Sequence, residues 1–327
     1  MTRKTLSFKV KRNIPSNKVH ALIDKPIEKV AKDTPNDSKK SFLNGVAINP
    51  FESISLESGS KDLTMRAMDL ITPIGMGQRG LIVAPPGCGK TTLLKQICQS
   101  VAQAYPKIKL YALLIDERPE EVTDFKRSVS ISPSCETTVV ASSSDETYDH
   151  HVRVANDLLN KALKQAGQGH NVMIVIDSLT RLSRVHNAER KSSGRTMSGG
   201  LDSRALEIPR KLFGAARKIE NAGSLTILAT ILVDTGSRMD QVIFEEFKGT
   251  GNMEIVLSRD IANQRIFPAL DIAKSSTRRE ELLINSKDME KVRVLRRALT
   301  GLEPVEGAKK LIELLNESPT NAELLNL

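Results

Sequence analysis

The chain has 327 residues, 39% of them apolar and 27% charged, a balance that supports a folded core and excludes a wholly disordered polymer. Aromatic residues make up only 3%, with no Trp, which argues against a protein that grips nucleic acid mainly by base stacking. The net charge of +9 is concentrated at the start, where residues 1–40 hold 11 Lys and Arg against 4 acids.

Residues 1–41, with Pro15, Pro26 and Pro35 and little periodicity, read as a basic flexible arm able to attract polyanions. The arm has no apolar stretch of signal-peptide length, and no run in the chain approaches the roughly 18 apolar residues of a membrane span. No membrane partner is therefore expected. Cys88, Cys98 and Cys135 stand apart, with neither zinc-site spacing nor a disulfide framework. Such usage fits a reducing compartment, so a cytoplasmic location is expected.

Residues 42–79 read as a lead-in or connector with a short helix over Asp62–Leu70. Residues 80–327 then show strands and helices in alternation. Strands are expected at Leu81–Val83, Ile108–Ile115, Thr138–Ala141, Asn171–Ile176, Leu225–Val233 and Met253–Leu257. Helical texture covers Thr91–Ala104, 147–166 and 203–221. In 147–166, Val152, Ala155, Leu158, Leu159, Ala162 and Leu163 repeat at helical spacing. The strand runs are apolar throughout rather than alternating, as in a parallel sheet covered on both faces. The expectation is an α/β fold with a mainly parallel sheet between helices, and a helical C-terminal part from about residue 285. Ser130–Thr137 reads as a Ser-rich insertion with no functional account.

Ala84-Pro85-Pro86-Gly87-Cys88-Gly89-Lys90-Thr91 follows a strand and opens a helix, the context of a phosphate-binding P-loop. Ala84 stands where the formal pattern has Gly. Backbone N–H groups of such a loop surround phosphate oxygens, and the helix behind it offers its positive end. Pro86, Gly87, Cys88, Gly89, Lys90, Thr91 and Thr92 form the expected nucleotide-binding set. Lys90 would reach the outer phosphates of ATP, and the Thr91 hydroxyl would ligate Mg²⁺. Asp177 ends the strand Val172–Ile176, the position of an acid that holds the same metal. Asp116-Glu117-Arg118 ends another strand, and Glu117 is the candidate for orienting the attacking water. On generic grounds alone, this would be a surface Asp-Glu-Arg turn.

Longer strings add a resemblance. Gln78-Arg79-Gly80-Leu81-Ile82-Val83-Ala84-Pro85-Pro86, Leu113-Leu114-Ile115-Asp116-Glu117-Arg118-Pro119-Glu120-Glu121-Val122-Thr123, Asp177-Ser178-Leu179-Thr180-Arg181-Leu182, Phe213-Gly214-Ala215-Ala216-Arg217 and Phe244–Glu254 make the chain from about Phe42 onward resemble the ATPase half of the bacterial transcription termination factor Rho family. The resemblance implies a RecA-like P-loop NTPase core, a homohexameric ring with ATP sites between subunits, and RNA-dependent ATPase and helicase activity. It implies that Glu117 is the catalytic carboxylate and Arg118 its phosphate-sensing neighbour, with Lys90 acting beside them. Arg181 would lie near the nucleotide, Phe267 would pack on adenine, Arg278 would be an arginine finger for the next subunit, and Arg265 a second interfacial arginine. Single-stranded RNA in a central pore would meet two loops, with Arg195, Ser198, Gly199 and Gly200 in the first and Gly236, Ser237 and Arg238 in the second. RNA polymerase is a further implied partner.

Two departures from the family pattern bear on function. Rho proteins carry an oligonucleotide-binding barrel ahead of the ATPase half, and 41 residues are too short for one, so sequence-selective loading is not implied. The family also often has a second P-loop lysine at the position of Gly87, so slower turnover is expected here. Two other classes remain open on the sequence: a ring ATPase serving another polymer without termination activity, and a degenerate nucleotide- or RNA-binding paralogue.

Overall fold

Apolar runs too uniform for a one-sided sheet are sorted by the period-2 geometry of a strand into two cores. The computed structural model describes residues 35–130, 137–189, 198–202 and 204–326. Its strands are β1 (Ala47–Ile48), β2 (Ser53–Ile54), β3 (Ile74–Gly75), β4 (Arg79–Ala84), β5 (Lys109–Glu117), β6 (Thr138–Ser143), β7 (Asn171–Asp177), β8 (Arg217–Ile219), β9 (Ser224–Leu232), β10 (Met253–Val256) and β11 (Ser276–Thr277). Its helices are α1 (Pro35–Asn44), α2 (Leu63–Ile71), α3 (Lys90–Ala104), α4 (Pro119–Val129), α5 (Tyr148–Gly167), α6 (Leu179–Glu189), α7 (Glu207–Gly214), α8 (Arg238–Lys248), α9 (Arg259–Asn263), α10 (Ser286–Thr300), α11 (Pro304–Glu317) and α12 (Asn321–Leu324).

The main sheet runs β11-β10-β4-β9-β7-β5-β6. From β10 to β6 every pairing is parallel, and β11 closes one edge antiparallel to β10. Ile82, Ala84, Ala112, Leu114, Met173 and Val175 face a core shared with α2, α3, α4 and α11. Their neighbours Leu81, Val83, Leu113, Ile115, Ile174 and Ile176 face the opposite core, shared with α5, α6, α7 and α8. Each fully buried Leu or Ile in these layers contributes roughly 1.5–3 kcal/mol. The same double burial removes the alternation that would betray a one-sided strand. This is the α/β architecture expected from the sequence, including the helical C-terminal part. Among the described residues no helix is long and apolar enough to cross a membrane.

Three expectations change. The helix expected over 203–221 stops at Gly214, and Arg217–Ile219 forms β8, antiparallel to β9 through Arg217↔Leu225 and Lys218↔Ser224. Asn221, at φ 55, makes the turn between them, and β1 pairs on the far side of β8 through Ala47↔Ile219. Long-range pairing overrides local helical texture there. Second, residues 42–79 are more than a connector. Ile54, Leu56, Met65, Met68, Ile71 and Ile74 are fully buried in the core, and Asp62 caps α2 by accepting from the Thr64 amide. Third, the end of the expected arm is helical: α1 begins at Pro35 and packs on α5. The rest of that arm, residues 131–136 of the Ser-rich insertion, and Cys135 lie outside the described residues.

Candidate active site

Parallel strands place their C-terminal ends on one edge, and there the candidate residues meet. β4 delivers Ala84 into the loop that opens α3. Gly87 and Gly89 sit at φ 78 and 85, a left-handed backbone that other residues enter only at a cost. The first turn of α3 carries Lys90 and Thr91. β7, separated from β4 by β9, ends at Asp177. Lys90 Nζ donates to Asp177 Oδ1 at 2.7 Å, and Thr91 Oγ1 donates to Asp177 Oδ2 at 2.9 Å. Thr230 of β9 donates its hydroxyl to Asp177 Oδ1 at 2.8 Å. Thr230 carries little local signal, being one of three hydroxyl residues in β9 with Ser224 and Thr226.

β5 ends in an irregularity at Asp116, whose φ is 56 and where the pairing with β6 slips by one residue. This turn leaves Asp116 half-buried and buries Glu117, which is 3% exposed. Lys90 Nζ lies 3.9 Å from Glu117 Oε1, and Arg181 Nε of α6 lies 3.0 Å from the same oxygen. Neither Glu117 oxygen accepts an aligned hydrogen bond. Burial pushes the Glu117 carboxyl well above the usual carboxylate range, helped by Glu121 and the Asp177 charge and opposed by Lys90 and Arg181. A buried carboxyl with a raised pKa, beside a phosphate loop, is a candidate for proton transfer.

Beside the loop lies a cleft of about 310 Å³, lined by Gly87, Cys88, Gly89 and Thr92 on one side and by Leu257, Phe267 and Pro268 on the other. The Phe267 ring is 47% exposed and faces Gly89. Arg265 is exposed in the turn before it, and Arg118 is exposed at the start of α4. Arg278 is not brought to this loop. Its amide donates to Asn252 O at 2.9 Å, next to the β10–β11 pairing. Met253 there pairs with Gly80, at the opposite end of β4 from the P-loop.

The two loops singled out for RNA converge on each other. Gly199, at φ 76, packs against Arg238 and Met239 so tightly that a Cβ would lie 2.7 Å from the Met239 nitrogen. Asn187 Nδ2 donates to Gly200 O at 3.2 Å. Gly236 and Arg238 are exposed, and Ser237 caps α8 by accepting from the Asp240 amide. Asp240 accepts from Thr235 Oγ1 at 2.6 Å and from Arg184 Nε at 2.8 Å, so α6 ties this loop to the strand edge that bears Glu117. Asn187, Arg184 and Asp240 carried no local sequence signal. Arg195 lies outside the described residues, and of Ser198 only its place in a short helical turn is described.

Residues 64–277 match the ATP synthase alpha/beta family, nucleotide-binding domain. The transcription termination factor Rho of Haemophilus influenzae is 46% identical over 306 residues, covering 92% of this chain and 71% of that one. The chain belongs to the Rho family. The Rho of Buchnera aphidicola subsp. Baizongia pistaciae is 44% identical over 331 residues, covering 100% of this chain and 77% of its own. In Rhodopirellula baltica the match spans 55% of a longer Rho. Among solved structures, a prototypical ATPase from the type III secretion system of pathogenic bacteria superposes with a TM-score of 0.69 at 25% identity, covering 86% of this Rho-family chain and 85% of its own. The P-loop ATPase core expected from the sequence is thus present, and ATP is its nucleotide.

Proposed function

We infer that this Rho-family chain is an RNA-dependent ATPase and helicase, cytoplasmic, whose ATP chemistry runs at the strand edge formed by Lys90, Thr91, Glu117 and Asp177. The observation that carries this reading is the convergence of Lys90 and Thr91 on Asp177 next to a buried Glu117 that is ion-paired with Lys90 and Arg181. Lys90 would neutralise the outer phosphates and Phe267 would pack on the base. Thr91 and Asp177, whose oxygens lie 2.9 Å apart, fit the hard oxygen donors that Mg²⁺ takes, and the ion would add charge neutralisation at the phosphates. Glu117 orients water and takes its proton as the water oxygen bonds to the γ-phosphorus and the bond to the ADP oxygen breaks.

Arg181 would hold Glu117 in place, while Arg118 stands next to it at the phosphate end. The position of Arg278 at the far end of β4 supports a role in another subunit's site. Crossing the strand from Gly80 to Ala84 alone takes about 13 Å. A ring of like subunits, a homohexamer in this reading, would set Arg278 and Arg265 at the interface. Gly199, Gly200, Gly236, Ser237 and Arg238 would contact single-stranded RNA in the central pore, and α6 would transmit their movement to Glu117. Residues ahead of α1 would add a basic arm with salt-sensitive affinity for RNA, and RNA polymerase is a further partner of this reading.

The deciding measurement is ATPase rate with poly(C), poly(U), single-stranded DNA and no polymer. RNA should raise the rate, and Lys90→Ala should abolish it. A rate indifferent to every RNA would overturn the motor reading, and equal stimulation by DNA would reassign the polymer.

A further inference from the structure

Gly87 leaves the phosphate loop with one cation, and that cation is already engaged. Between Ala84 and Thr91 only Lys90 is charged, and it is shared between Asp177 at 2.7 Å and Glu117 at 3.9 Å. The nucleotide's phosphate tail carries several negative charges. The side of the loop at Gly87 faces another cation from a distant part of the chain. Arg259, the first residue of α9, reaches across and donates through Nη1 to the Pro86 carbonyl. Its guanidinium fills the place of a residue-87 side chain, since a Cβ at Gly87 would collide with Nη1.

Arg259 is exposed and forms no ion pair among the described residues, whereas Arg184, Arg210, Arg279 and Arg296 each face a carboxylate. Contacts to the Pro86 carbonyl and the Cys88 thiol still leave N–H groups of the five unspent, in a fixed fork suited to phosphate oxygens. The same segment supplies Leu257, Phe267 and Pro268 to the cleft wall facing Gly87, Cys88 and Gly89. Residues 257–268 thus bring a cation to the loop and a ring to the cleft.

We propose that Arg259 is a phosphate-contacting residue of this nucleotide cleft, reaching over Gly87 to supply the positive charge that the loop lacks there. The proposal rests on the ATP reading above and adds to it a residue from outside the P-loop. Docking on Pro86 holds the guanidinium beside the loop before ligand arrives, so little side-chain entropy remains to be lost on binding. Such a contact would offset the charge missing at Gly87 with one carried from α9.

The test is calorimetric titration of the full chain with adenosine, AMP, ADP and a non-hydrolysable ATP analogue in the presence of Mg²⁺, comparing the unaltered protein with Arg259→Gln and Arg259→Lys. Losing a charge-assisted phosphate contact should weaken ADP and the ATP analogue by about tenfold or more, with adenosine unchanged within about twofold. Arg259→Lys should recover part of the loss. A glutamine variant that binds ADP as tightly as the unaltered protein overturns the proposal, as does an equal loss for adenosine, which would make Arg259 a loop clip only. Should the unaltered protein bind none of the four ligands, the ATP reading itself fails, a result separate from a defect confined to the variants.

Discussion

Gly199 rests on Met239 so closely that its missing side chain is what lets the two loops meet. A Cβ would lie 2.7 Å from the Met239 nitrogen and 2.8 Å from the Arg238 carbonyl carbon, and the backbone at Gly199 is left-handed besides. Gly199→Ala should therefore separate the loops, with a local cost of about 1–3 kcal/mol. Nucleotide affinity should stay unchanged, because the P-loop and Asp177 are untouched, while RNA stimulation of the ATPase should fall severalfold. Steady-state rates with and without RNA check this; full stimulation in the variant would show that the loops act independently.

The separation of Arg278 from the P-loop predicts complementation. Lys90→Ala and Arg278→Ala should each be inactive alone. Mixed rings would contain some interfaces with an intact Lys90 on one side and an intact Arg278 on the other, so mixing the two proteins should restore part of the ATPase rate. With equal random mixing, about a quarter of the interfaces would be intact in the trans arrangement, which sets the scale of recovery if Arg278 acts as a finger. No recovery after confirmed subunit exchange would argue for action within one chain.

Glu117 must be ionised to accept a proton, and burial raises its carboxyl above the usual range. Activity should accordingly rise with pH through that elevated value. Arg181 opposes the shift, so Arg181→Gln should move the acid limb of kcat to higher pH, the direction expected when a stabilising cation is removed. Glu117→Gln should keep ATP binding and lose on the order of 10²-fold or more in turnover. The pH–rate profiles of the three proteins give the comparison; an acid limb unmoved by Arg181→Gln would separate Arg181 from Glu117.

Asp69 gives a stability test away from the nucleotide. It accepts from the Leu56 and Glu57 amides and the Ser55 hydroxyl, yet burial outweighs these and pushes its carboxyl up to about 6. A folded-state value above the unfolded one means the protonated form is favoured in the fold. Its contribution is complete below the ordinary aspartate value near 4 and is lost as pH rises through about 6, on the order of 1–3 kcal/mol. Asp69→Asn should remove that part of the slope. Urea unfolding between about pH 4 and 7 measures it, and parallel slopes for the two proteins would refute the assignment.

Legibility differed from element to element. β4, the P-loop and α3 were readable because a strand, a left-handed glycine pair and a helix start are local events. The strand-end acids were readable for the same reason. The apolar spacing of segment 203–221 suits a helix, while the pairing of its last strand with residues 224–225 and 47–48 is set from outside it. Thr230 and Arg259 acquire meaning only from what stands opposite them, Asp177 and the Pro86 carbonyl.

By itself the sequence determined the local parts: a strand–glycine loop–helix unit with Lys90 and Thr91 at the helix start, and carboxylates Glu117 and Asp177 at strand ends. Backbone propensity and burial period act over a few residues, so such parts can be read locally. Tertiary structure alone decided their arrangement. Strand order set β7 beside β9 and within reach of β4, bringing Asp177 to Thr91 across 86 positions and adding Thr230 as a third support. It sent Arg278 to the far end of the sheet and brought Arg259 over Gly87. These contacts join residues far apart in the chain, and their geometry exists only once both cores have closed around the sheet.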